Sequence, residues 1–171
     1  MANESLNVSD FLSAGCGSVE QSSEGQFLAK LGADGGPCRL GVMGGTFDPI
    51  HNGHLEIARR ACESLGLSGV LFVVAGDPWM KHGRALTPAE DRFAMVQTAI
   101  EGDVRFAASR REIDRVGETY TVDTLRELRR ILPAHVELCF LMGAERCGSF
   151  GGVARGERAW RPCEVRRGVA A

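Results

Sequence analysis

The residues of this chain best suited to chemistry stand in one string, Gly44-Gly45-Thr46-Phe47-Asp48-Pro49-Ile50-His51-Asn52-Gly53-His54. Adjacent glycines let backbone N–H groups approach a ligand closely, and a helix opening near Asn52 would turn its positive end toward the same place. The expected guest is an anion. His51 and His54 are three positions apart, so at the first turn of a helix both imidazoles project to one side. Set there, they can donate hydrogen bonds to phosphate oxygens and stabilise the charge that builds during phosphoryl or nucleotidyl transfer. An isolated H-x-x-H more often caps a helix or is merely exposed. A helical zinc pair would use i, i+4 spacing and a third ligand, neither of which the text supplies, so no resident metal is expected.

The surrounding text must position that string. Leu40 to Met43 reads as a short strand, and the segment after His54 repeats Leu55, Ala58, Ala61, Cys62 and Leu65 at helical steps. Val70 to Ala75 is continuously apolar between Gly69 and Gly76, as in a strand buried on both faces of a parallel sheet. Thr87-Pro88-Ala89-Glu90 combines a capping box with proline at the first helical position and opens a helix to about Ile100. Val104 to Ala107 reads as a third strand. Thr119 or Thr121 caps a further helix carrying Val122, Leu125, Leu128 and Leu132, which Pro133 stops; a fourth strand runs from Val136 to Met142 and ends at Gly143. This alternation predicts an α/β fold, a Rossmann-like doubly wound parallel sheet with right-handed crossovers. Ligands bind such sheets beyond the carboxyl ends of the strands, which is where the Gly44–His54 string falls.

The two ends differ from this domain, placed at 38–146. Residues 1–37 carry Ser, Gly, Glu, Gln and Asp and close on Gly35-Gly36-Pro37, so they read as a disordered or weakly ordered extension with a short amphipathic piece around Phe27 to Leu31. Residues 147–171 show no apolar period. They read as an irregular tail in which no fifth strand can be drawn, leaving the C-terminal part of the fold incomplete. A formal charge of -2 supplies no field for neutralising nucleic-acid phosphates. The 6 cysteines have no C-x-x-C pair and read as free thiols of a reducing compartment. Leu12-Ser-Ala-Gly-Cys16 lacks the apolar core of an export signal, and no run is apolar enough to span a membrane. The expected location is cytoplasmic.

Taken whole, the string Gly44 to His54 resembles the phosphate-binding signature of the HxGH nucleotidyltransferase superfamily. In the form G-G-T-F-D-P-x-H-x-G-H it resembles the version found in nicotinate-nucleotide adenylyltransferases. Pro78-Trp79-Met80-Lys81, Thr87 to Arg92, Glu112 to Arg115, Thr119 to Leu125 and Leu141-Met142-Gly143-Ala144-Glu145 resemble later segments of that family, the last with Glu where the family has Asp. The resemblance covers about residues 39 to 146. It implies adenylyl transfer from ATP to nicotinate mononucleotide, with Mg²⁺ accompanying the triphosphate. His51, His54 and Lys81 would hold phosphates, and Gly44, Gly45, Thr46, Phe47 and Gly143 would line the ATP site. Trp79, Thr119, Tyr120 and Thr121 would define the pyridine-nucleotide pocket.

Asp48 and Asp123 are expected in loop and cap hydrogen bonds and stay outside the catalytic set. Beyond Cys147 the family's Ser/Thr-rich motif closing with Arg has no counterpart, and the Ser, Gly, Arg and Ala bias reads as frameshifted or truncated text. The alternatives are a catalytically silent nucleotide-binding fragment, or another HxGH transferase such as a pantetheine-phosphate adenylyltransferase. Self-association is left open.

Overall fold

The structure, a computed structural model, describes residues 23–31, 33, 35–76, 85–117, 119–142 and 160–164, the last for backbone only. Helix α1 (Ser23–Lys30) precedes β1 (Cys38–Gly45), α2 (Asn52–Leu65), β2 (Gly69–Val74) and α3 (Ala89–Ile100). Then follow β3 (Phe106–Ser109), the short α4 (Arg111–Asp114), α5 (Thr121–Ile131), β4 (Val136–Met142) and β5 (Trp160–Glu164). The strands lie in the order β3-β2-β1-β4-β5 and every neighbouring pair is parallel. This is the doubly wound arrangement that the strand–helix alternation predicts, with the change of direction at β1.

β2 shows why the sheet sits in the middle. Val70, Leu71, Phe72, Val73 and Val74 are each exposed by 1% or less. Because successive strand side chains point to opposite faces, they divide between two apolar layers. Val70, Phe72 and Val74 meet Leu55, Ala58, Ala61 and Cys62 of α2 and Val96 and Ile100 of α3. Leu71 and Val73 meet Leu125 and Leu128 of α5 and Leu28 of α1. At roughly 1.5–3 kcal/mol for each fully buried aliphatic or Phe side chain, this one strand supplies a large share of the driving force.

Several boundaries differ from the sequence reading. The third strand starts at Phe106, and Val104 is 92% exposed. The amides of Asp103 and Phe106 bond back to Ile100 O and Asp103 O, so the chain turns through Val104 before it extends. α5 begins at Thr121 with Tyr120 as its N-cap and no side-chain cap hydrogen bond, so neither Thr119 nor Thr121 is the cap. Ser23–Lys30 forms a helix that begins four residues before the amphipathic piece expected around Phe27 to Leu31, and its Leu28, with Leu31 just beyond it, is buried against the sheet. Trp160–Glu164, in text where no strand was expected, pairs with β4 from Leu138↔Trp160 to Met142↔Glu164. An edge strand is held by backbone bonds on one side and tolerates proline there, so Pro162 and the missing alternation do not prevent it.

Candidate functional site

The glycine string leaves the carboxyl end of β1 and enters α2. Its turn is fixed by Phe47, which takes a left-handed backbone (φ 49) although it is not glycine. A strained backbone of this kind costs about 1–3 kcal/mol, and burying a phenylalanine ring offsets a similar amount. The ring is 3% exposed, 5.9 Å from Phe72 and 5.1 Å edge-on from His54. Gly45 makes room for it, since a Cβ there would lie 2.9 Å from the ring. Phe47 therefore shapes the loop from inside the core and offers a ligand only its backbone.

His51 is the extended N-cap of α2 and His54 its third residue. Their rings lie 3.9 Å apart at 34°, and the His51 amide donates to His54 Nδ1 at 3.3 Å. With Nδ1 accepting, the neutral ring carries its proton on Nε2, the tautomer inferred from this bond. Desolvation first, and the neighbouring His51 second, lower the His54 pKa from 6.5 to about 4. His54 is thus a neutral, half-buried donor at pH 7, while His51 is exposed beside it. A negative charge placed beside His54 would oppose that shift and favour its protonated form.

Arg92 holds the loop from below. Its side chain is among the largest that are fully buried, and it donates to Thr46 O at 2.7 Å, Ala75 O at 2.8 Å, Gly76 O at 3.2 Å and Thr87 O at 2.9 Å. One guanidinium so ties the glycine string, the end of β2 and the approach to α3 together. Burial lowers its pKa, and Asp48 opposes that shift. Asp48 also accepts the Thr87 amide at 3.2 Å, the loop hydrogen bond expected of it.

The second wall is the chain from β3 to α5. Glu112 is buried, and desolvation raises its pKa against the opposing effects of Thr124, Arg115 and Thr119. Thr124 Oγ1 donates to its carboxylate at 2.8 Å, and Thr119 is a further side-chain partner. This fixes Thr119, itself 8% exposed, while Tyr120 stays 46% exposed and Thr121 starts α5. Thr121 Oγ1 lies 4.0 Å from where a Cβ on Gly44 would stand, so the two walls meet at the head of β1. They also touch at Gly76, whose added Cβ would lie 2.2 Å from Glu112 O.

A family model described as cytidylyltransferase-like matches residues 42–166, nearly all of the sheet just described. The chain belongs to the cytidylyltransferase-like family. A Corynebacterium kroppenstedtii protein named "Probable nicotinate-nucleotide adenylyltransferase" is 50% identical over 125 residues, 73% of this chain and 56% of that protein. A Mycolicibacterium vanbaalenii protein of the same name is 52% identical over 111 residues, 65% of this chain and 51% of its own. The chain spans about half the length of these curated relatives. Among solved structures, the Plasmodium falciparum nicotinic acid mononucleotide adenylyltransferase complexed with NaAD superposes with a TM-score of 0.53 at 17% identity. That match covers 66% of this chain and 55% of the other, and shares the fold.

Of the residues singled out from the sequence, the structure brings Gly44, Gly45, Thr46, Phe47, His51 and His54 together with Thr119, Tyr120 and Thr121 at one end of the sheet. Trp79, Lys81 and Gly143 lie outside the described residues. Arg92 and Glu112 lie inside the segments that carry the resemblance, but their types and spacing alone assign them no role. A charged residue at a helical core position was the available signal for Arg92, whose neighbours Val96 and Ile100 face the same layer. Among the described residues, no three His, Cys, Asp or Glu side chains cluster as metal ligands. No helix among the described residues is long and apolar enough to cross a membrane.

Proposed function

We propose that the chain transfers the adenylyl group of ATP to nicotinate mononucleotide, giving nicotinate adenine dinucleotide and pyrophosphate, a step of NAD biosynthesis. The observation that carries this reading is the His51–His54 pair, rings 3.9 Å apart, at a glycine turn that faces Thr121. An oxygen of the mononucleotide phosphate attacks the α-phosphorus in line, the bond to the bridging oxygen breaks, and pyrophosphate leaves with the electron pair. No covalent nucleophile is needed, only positioning and charge stabilisation. Backbone amides of the glycine string and the His54 Nε2–H meet the triphosphate, while Thr119, Tyr120 and Thr121 border the acceptor. Mg²⁺ bound to the triphosphate would neutralise part of its charge. Lys81 on phosphate, Trp79 against a ring and Gly143 beside ATP belong to the same reading through the family resemblance. So does a cytoplasmic location.

The competing reading is nucleotide binding without turnover, favoured by the text after Cys147, where the family's second phosphate motif has no counterpart. Purified chain with ATP and Mg²⁺ is offered nicotinate mononucleotide, nicotinamide mononucleotide or phosphopantetheine, and pyrophosphate release is followed. Release with nicotinate mononucleotide above the other two is the expected result. Tight ATP binding with no release under any acceptor supports the silent reading, and preference for phosphopantetheine replaces the acceptor.

A further inference from the structure

Helix α1 lies outside the family-matched residues 42–166, yet it reaches the second wall of the site through buried charge. The Glu24 side chain is 9% exposed and that of Arg111 is 13% exposed, and the guanidinium Nε donates to Glu24 Oε1 at 2.6 Å. Ser109 Oγ, at the end of β3, donates to the same oxygen at 3.1 Å. Arg111 NH1 also reaches Glu127 of α5 at 2.5 Å, and Glu127 accepts Arg115 at 2.8 Å. Arg115 in turn donates to Thr124 Oγ1 at 3.1 Å, the hydroxyl that holds Glu112, partner of Thr119. The relay starts on α1 and ends on the residues that border the acceptor side. A shielded carboxylate taking two hydrogen bonds is held in one geometry, so it can transmit a positional constraint that a solvated surface pair cannot.

We propose that α1, through Glu24, is a positioning element for the turn that carries Thr119–Thr121. A segment outside the family region thereby sets affinity for the acceptor nucleotide without touching it. The choice of ligand as probe rests on the adenylyltransferase reading, whereas the mechanical link does not. Glu24→Gln and Glu24→Ala are made in the full chain, and two measurements follow. Hydrogen exchange of the 109–124 amides is compared with that of β1 and β2, and calorimetry gives affinities for nicotinate mononucleotide and for ATP separately. Expected are exchange faster by about tenfold and confined to 109–124. Acceptor affinity falls roughly three- to tenfold, more for Ala than for Gln, with ATP affinity within about twofold of the parent chain. Unchanged exchange at 109–124 overturns the proposal, as does equal weakening of both nucleotides with exchange raised across the whole sheet. If the parent chain binds neither nucleotide, the functional reading fails, and the exchange pattern alone upholds or overturns the link.

Discussion

The Gly44–His54 loop and the 110–121 turn face each other across the head of β1, but they are fixed by different forces. The loop is fixed by covered groups: a Phe47 ring in the core and one guanidinium shared among four carbonyl oxygens. The turn is fixed by a relay of ion pairs, of which Arg111–Glu24 is shielded while Glu127 is 40% exposed. Desolvated hydrogen bonds to backbone are strong and insensitive to salt; partly solvated ion pairs are weaker and screened. One wall is thus held by covered, salt-insensitive bonds, and the other, the flank, by ion pairs that are partly open to solvent.

The comparison is tested hardest at Arg92. Arg92→Ala removes every bond of the clamp and leaves carbonyls of three segments without their donor, so urea denaturation should show a loss of about 3–5 kcal/mol, little changed by salt. A loss below about 1 kcal/mol would mean that the loop does not need it. Next is the joint between the walls. Gly76→Ala places a methyl 2.2 Å from a backbone oxygen that cannot swing aside, and about 2–3 kcal/mol of stability should go with weaker binding of both nucleotides. Wild-type stability in that variant would show that the walls are mechanically independent.

His54 sharpens the contrast through pH. Its folded pKa of about 4 lies below the ordinary 6.5, so the unfolded chain takes up a proton that the folded one refuses. Stability is intact above pH 6.5 and falls as pH drops from there toward 4. Discounted for a half-exposed ring, the loss is on the order of 1 kcal/mol, and His54→Gln should abolish this part of the pH profile. An identical profile in the variant would assign the titration elsewhere. The smallest effect belongs to the flank: Glu127→Gln should cost about 0.5–1 kcal/mol at low salt and nearly nothing at 1 M salt, measured by thermal unfolding. A salt-independent cost would place the flank in the same class as the Arg92 clamp.

How much of this was legible follows from sequence distance. The loop and its histidines are contiguous, so their closeness is legible, although His51 meets His54 as an extended N-cap and not from within the first turn. β4 was readable to the residue, Val136–Met142, because an apolar run ended at Gly143. The Arg92 clamp spans 46 residues to Thr46, and the Glu24–Arg111 bond spans 87. No local pattern marks partners so far apart, and a charged residue between apolar positions looks like a solvated face until its acceptors are known. Of the helix Ser23–Lys30 only the piece around Phe27 is legible, for the same reason: a short helix of weak periodicity gains its order from tertiary burial. β5 was missed because backbone pairing leaves no signature in the side chains of an edge strand.

The distance from Glu24 to Ser109, 85 residues, also orders events during synthesis. α1 leaves the ribosome before the sheet strands, yet the surface it settles on is finished only once β3 has emerged. At about 5–20 residues per second, the helix waits several seconds or longer for its berth. Through that interval Leu28 lacks the sheet face that buries it, so a segment made before the strands comes to rest after β3.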